Sequence, residues 1–278
     1  MAGNSNPNPP HEDFFPFDSP NLAYAKCVPK GNNQKVFDDI KTFVAGFPGP
    51  GLVGSIASRH LAYELDLEVI GFIRSPLIAP QATFFDGLLA YPYRMYGKKG
   101  FDLGILVSES PLSERAHFYI ANALLDWLEK IKAEELIVLD GYSASSDNQE
   151  AFFIAEPEIR DRNKSPIEKV KLAIPEYKNQ LGTGYVGGIA GALLNEGIVR
   201  RSIVSFAVLA PVVNPRIPSP KSASKLIEFV NSYKSVDVDI ESLLDHSKRI
   251  EKNLDEFARK QEKIDIMDKT RKDIGLYY

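Results

Sequence analysis

The sequence predicts an α/β fold: a mixed, mainly parallel sheet flanked by helices, followed by a long C-terminal helix. Three observations carry this expectation. Strand-like apolar runs alternate with segments of helical period between residues 36 and 235. Several of those runs are apolar throughout, as strands covered on both faces are. From Val236 onward glycine and proline are absent until Gly275, while charged residues become dense.

The elements follow in order. Residues 1–35 carry Asn, Pro, Gly and Lys with little periodicity, Asn6-Pro7-Asn8-Pro9 among them, and read as a flexible arm. Thr42-Phe43-Val44-Ala45-Gly46-Phe47 is a short apolar run stopped by Pro48, a buried strand. Residues 52–65 read as a helix on Leu52, Ile56, Leu61 and Leu65, and Val69-Ile70-Gly71-Phe72-Ile73 as a second strand. Residues 88–95 and 102–107 form a hairpin around Gly97-Lys98-Lys99-Gly100, which makes the sheet mixed. Residues 113–132 give the clearest helix, with Ser113 as cap and Phe118, Leu124, Leu125, Leu128 and Ile131 as its apolar stripe. Leu136-Ile137-Val138-Leu139 is a strand ended by Asp140-Gly141. Residues 185–194 are a small-residue helix, 203–209 a strand ended by Pro211, and 222–233 a further helix.

In the extension, Ile240, Leu243, Ile250, Leu254, Phe257 and Ile264, with Ser247 and Gln261 at the remaining places, alternate spacings of three and four. That is a heptad seam, which serves either an intermolecular coiled coil or an amphipathic helix packed on its own domain; Leu244 widens the stripe in favour of the second. The chain thus divides into an arm (1–35), an α/β domain (36–235), a charged helical extension (236–274) and a tail (275–278).

Composition narrows the function. Of 278 residues, 44% are hydrophobic and 25% charged, ordinary values for a globular protein, and the net charge of −4 weighs against a nucleic-acid partner. The single cysteine, Cys27, excludes an internal disulfide and fits a reducing compartment; four scattered histidines give no zinc motif. No apolar run approaches a membrane span, and no basic start leads into an apolar stretch, so a cytoplasmic protein without a membrane partner is expected.

Two glycine segments match a dinucleotide fingerprint by letters: Gly49-Pro50-Gly51-Leu52-Val53-Gly54 and Gly182-Thr183-Gly184-Tyr185-Val186-Gly187. A phosphate cradle works through backbone N–H donors, and Pro48 and Pro50 supply none. Where a ribose-binding acid would follow stands Ile73-Arg74. Tight turns and close helix–strand packing explain such glycines equally well. Catalytic groups are sparse. Asp140-Gly141-Tyr142-Ser143 follows a strand, and Glu109, Glu114 and His117 follow another, but Gly54-Ser55-Ile56-Ala57-Ser58 lacks the second glycine of a nucleophile elbow.

Gly46-Phe47-Pro48-Gly49-Pro50-Gly51-Leu52-Val53-Gly54 resembles the opening signature of the archaeal and bacterial relatives of the eukaryotic proteasome assembly chaperone. Arg74-Ser75-Pro76, Ser108-Glu109-Ser110-Pro111, the strand ending in Asp140-Gly141 and the run Gly184-Tyr185-Val186-Gly187-Gly188-Ile189-Ala190-Gly191 extend the resemblance over about residues 36–235. It implies a phosphorylase/hydrolase-like α/β fold without an established catalytic site or cofactor. The chain ends Gly275-Leu276-Tyr277-Tyr278, and hydrophobic residue, tyrosine, any residue, carboxylate is similar to the tail by which proteasome activators and assembly chaperones dock. The resemblance therefore implies a non-enzymatic, ATP-independent archaeal protein that binds the α-subunits of the proteasome core particle through Leu276, Tyr277 and Tyr278. It implies a homo-oligomer too, a tetramer favoured, that acts in assembly, gate opening or both. The alternative is a nucleotide- or nucleoside-binding enzyme using the glycine loops.

Overall fold

The computed structural model describes residues 25–31, 34–85, 87–146, 149–156, 166–174 and 183–244. Among these residues the strands and α-helices are, in chain order, β1 (Lys26–Pro29), α1 (Gln34–Asp39), β2 (Thr42–Gly46), α2 (Val53–Glu64), β3 (Glu68–Arg74), β4 (Thr83–Phe85), β5 (Leu88–Ala90), β6 (Tyr93–Gly97), β7 (Leu103–Ser108), α3 (Glu114–Lys130), β8 (Glu135–Ser143), β9 (Phe152–Ala155), α4 (Pro166–Ala173), α5 (Gly188–Arg200), β10 (Val204–Val212) and α6 (Pro220–Lys234). Eight strands form one sheet in the order β1-β3-β6-β7-β2-β8-β10-β9, and β4 with β5 forms a separate ribbon. The fold is the expected mixed α/β sheet. Its centre, β7-β2-β8-β10, is parallel, and both flanks are antiparallel.

Period-two alternation sends each strand's side chains to two cores. Phe43, Ala45, Leu106, Leu136, Val138 and Ala207 meet α3 and α5 on one face. Val44, Ile105, Val107, Ile137, Leu139, Phe206 and Val208 meet α2, α4 and α6 on the other. On the first face the Trp127 indole lies edge-on to Phe37 and Phe43, with centroids 5.6 and 5.3 Å away. Such contacts add to the area they bury.

Several expectations change. The end of the arm is not loose: β1 adds an edge strand to β3, with Cys27 opposite Ile73, and α1 follows. Cys27 sits at the sheet edge, yet its thiol points inward and donates to the Ala123 carbonyl at 3.4 Å. Burial, with Asp126 adding, pushes that thiol far above the ordinary range. Residues 88–95 are not one strand. Pro92 breaks the run, leaving β5 in the ribbon and β6 as the true partner of β7 in the hairpin. Phe118 lies outside the buried stripe of α3, 55% exposed, and Ser113 occupies the N-cap position without a side-chain cap bond. Helix α5 starts at Gly188, three residues later than expected, and Tyr185 stands in solvent.

After α6 the chain turns back on its own domain. Asn231 clamps Val238 from both sides, donating through Nδ2 to its carbonyl (2.9 Å) and accepting its amide at Oδ1 (3.1 Å). His60 of α2 reaches the Asp239 carbonyl at 2.6 Å. Among the seam positions, Leu243 is buried in the second core and Ile240 packs against it. Ile250, Leu254, Phe257 and Ile264 lie outside the described residues, as do Leu276, Tyr277 and Tyr278.

Candidate functional site: the glycine loop and its crevice

Strand β2 runs into α2 on one face, while its neighbour β7 runs into α3 on the other. In an open α/β sheet, a crevice opens at the carboxyl ends where helices diverge in this way. The Gly46–Gly54 signature occupies that point, and its glycines answer to close approach. A Cβ on Gly46 would lie 2.0 Å from the Gly54 carbonyl oxygen, and one on Gly54 2.3 Å from that of Leu139. Helix α2 thus rests directly on the backbones of β2 and β8. Gly51 sits at φ +60, inside a 3-10 turn over Pro50–Leu52, where a Cβ is strained.

Three of the loop's donors are used internally. The Gly51 amide donates to Pro215 O (2.9 Å), the Leu52 amide to Gly49 O (3.0 Å) and the Val53 amide to Pro50 O. These groups are turned to fold contacts, which supports packing rather than a phosphate cradle. Of the second glycine segment, Gly182 lies outside the described residues; Gly187 precedes α5, and a Cβ on Gly191 would meet the Val186 carbonyl at 2.3 Å.

Beneath the loop, Asp140 directly follows the stretch that β8 shares with β2. Its Oδ1 accepts the Gly141 amide at 2.7 Å. Burial pushes its carboxyl up to about 6 against that hydrogen bond, which pulls the other way. Across the crevice, Glu109 follows β7. The buried Arg94 guanidinium donates to Glu109 Oε2 at 2.7 Å, to the Tyr96 hydroxyl at 2.7 Å and to the Tyr91 carbonyl at 2.6 Å. Arg59, on α2, approaches Glu109 Oε1 at 3.7 Å. The crevice holds about 580 Å³ between Pro48, Leu52, Ile56, Pro111 and the ribbon residue Phe84. Ser55 Oγ on its α2 wall is buried, with no hydrogen-bond partner among the described residues. His117 stands on α3, where burial lowers its pKa despite Glu114, while Glu109 is engaged by the two arginines. No group of three or more His, Cys, Asp or Glu among the described residues is arranged to hold a metal, and no helix among them is long and apolar enough to cross a membrane.

Sequence reading placed the signature loop, but it missed the Arg94–Glu109 pair. The signal for it was a lone arginine inside the run Tyr91-Pro92-Tyr93-Arg94-Met95-Tyr96.

Fold and loop together define a class: mixed α/β domains whose glycine signature seats a helix on the sheet at the switch point. The chain belongs to the PAC2 family, which it matches over residues 43–258. It is 30% identical over 237 residues to the uncharacterized protein MJ0106 of Methanocaldococcus jannaschii, covering 84% of this chain and 91% of that one. The crystal structure of Pyrococcus furiosus PbaA, an archaeal homolog of proteasome-assembly chaperone, superposes with a TM-score of 0.72 at 27% identity, over 91% of this chain and 99% of that chain. Pyrococcus furiosus PbaB, an archaeal proteasome activator, shares the fold with a TM-score of 0.70 at 22% identity, over 85% of this chain and 100% of that one.

Proposed function

We propose that this chain is a non-enzymatic, ATP-independent partner of the proteasome core particle that engages the α-subunits through Leu276, Tyr277 and Tyr278, and serves assembly, gate opening or both. The observation that carries the reading is the likeness to PbaA, at 27% identity across 91% of the chain. The tail fits the task chemically. A terminal carboxylate pairs with a buried cation through a charge-assisted hydrogen bond, and a tyrosine adds apolar area with a polar end. Leu276 extends the apolar contact. One such tail binds weakly, so several must act together, and linked tails gain about 100- to 10,000-fold in avidity. A cytoplasmic homo-oligomer, a tetramer favoured, supplies them; since Ile240 and Leu243 pack within the protomer, its helical seam would run through Ile250, Leu254, Phe257 and Ile264.

The deciding experiment is co-sedimentation with purified core particle, together with hydrolysis of a fluorogenic peptide, for the full chain and a variant lacking residues 276–278. The full chain is expected to co-sediment or accelerate hydrolysis, and the shortened chain to do neither. Equal binding by both ends the tail reading.

A further inference from the structure

Three separate pieces of chain wall the crevice. Pro48, Leu52 and Ile56 come from the signature loop and α2, Phe84 from the ribbon, and Pro111 from the segment after β7. Its volume of about 580 Å³ lies within the range of pockets that enclose small ligands. Ser55 and Arg59 also line it, one helical turn apart on the same face of α2. Ser55 is only 8% exposed, and its Oγ has no hydrogen-bond partner among the described residues. A buried hydroxyl without a partner costs stability. Alanine would fill the same place in α2 without that cost, so the use of the hydroxyl lies in what enters the crevice.

Charge says what that is. Arg59 and Glu109 are the charged side chains on the crevice wall, and Arg94 backs Glu109 at 2.7 Å. Two guanidinium groups against one carboxylate leave a single positive charge. Arg59 carries it toward the open side: its side chain is 52% exposed, those of Arg94 and Glu109 only 7% and 12%. The Arg59–Glu109 approach of 3.7 Å is too long for a hydrogen bond. One carboxylate on the entering molecule matches this balance. A phosphate dianion brings one charge too many beside Glu109, and three loop amides that could cradle it are turned to fold contacts. An amine is opposed by Arg59. The remaining walls are apolar and ask for an apolar body.

We propose that the crevice binds a small organic acid with one carboxylate and an apolar body, the carboxylate held by Arg59 and the Ser55 hydroxyl, the body between Ile56, Phe84 and Pro111. The site is independent of the tail and of the core particle, so the two readings fail separately. The test is isothermal titration calorimetry of the full chain with cinnamate, with cinnamamide, which keeps the body and lacks the charge, and with inorganic phosphate. Cinnamate is expected to bind one per chain with a dissociation constant below about 1 mM. Cinnamamide should bind about tenfold more weakly, the scale of one charge-assisted hydrogen bond, and phosphate should not saturate. Arg59→Gln brings cinnamate down to the level of the amide, while Arg59→Lys, which keeps the charge, retains most of the preference for the acid. Ser55→Ala weakens cinnamate about fivefold yet leaves the melting temperature of the unliganded chain unchanged or higher, which a merely structural serine does not do. A chain lacking residues 276–278 binds cinnamate as the full chain does. No saturable binding of cinnamate to the folded wild type, equal affinity for acid and amide, or full affinity in a folded Arg59→Gln chain overturns the proposal. So does a shortened chain that binds cinnamate about tenfold more tightly than the full one, because the crevice then belongs to the chain's own terminus.

Discussion

Gly49 lies so close above Asp140 that a Cβ on it would stand 2.2 Å from the carboxyl Oδ1. That oxygen is also held by the Gly141 amide at 2.7 Å, so the signature loop and the end of β8 are packed as one unit. Alanine at Gly54 meets the Leu139 backbone instead of a side chain, and backbone cannot step aside. Gly54→Ala is therefore expected to lower stability by about 3 kcal/mol, at the upper end of overpacking costs. Gly100→Ala, at φ +75 in open space, should lose only about 1 kcal/mol from the backbone strain. Urea unfolding of the two variants compares them.

The raised Asp140 carboxyl gives stability a pH dependence. The folded chain keeps this proton to about pH 6, where an ordinary aspartate has released it near 3.8. Its contribution is thus full below about 3.8 and is lost as pH rises through about 6. The span is at most about 3 kcal/mol, from about 1.4 kcal/mol per pKa unit. Asp140→Asn keeps the acceptor for the Gly141 amide and removes the titration. It should be more stable than wild type at pH 8 and indistinguishable near pH 4 in thermal melts.

Removing Glu109 strands a buried guanidinium. Glu109→Ala is expected to cost about 3 kcal/mol, because Arg94 is only 7% exposed at its side chain and Glu109 12%. Lys98→Ala breaks a pair in which Asp66 is 95% exposed, and should cost about 0.5 kcal/mol or less. Arg94→Met combined with Glu109→Leu should recover most of the first loss, which chemical denaturation of the double variant measures.

At the tail, Tyr277→Ala is expected to weaken attachment to the core particle about 30-fold per site, the scale of an aromatic anchor. One residue added after Tyr278 displaces the carboxylate and should do comparable damage while leaving the melting temperature unchanged. Surface plasmon resonance on immobilised core particle reads both.

What the residues disclosed in advance were the long, strongly patterned elements. The parallel centre was visible because 42–47, 136–139 and 203–209 are largely apolar in both parities, which only a doubly covered strand requires. The edges were hidden for the opposite reason. Strand β1 has four residues, Lys26 and Pro29 among them, and becomes a strand because β3 offers it a partner. Strand β9 pairs with β10 across a sequence separation that no local pattern records. The Arg94–Glu109 pair depends on the β6–β7 hairpin, whose register sets Arg94 opposite Val107, two residues short of Glu109. The packing role of the glycines was half legible: the prolines showed that donors were few, but only the fold brings Gly54 onto Leu139.

Cys27 makes the sheet edge observable without any label. Its thiol is tucked between β1 and α3, donates to Ala123, and is held protonated by burial, so the thiolate that alkylating reagents attack is scarce while the strand is seated. Reaction is slow while β1 stays paired with β3 and speeds up when that strand peels away. The rate of alkylation in native buffer is therefore a clock for fraying of that edge, and the chain's single sulfhydryl gives it one hand.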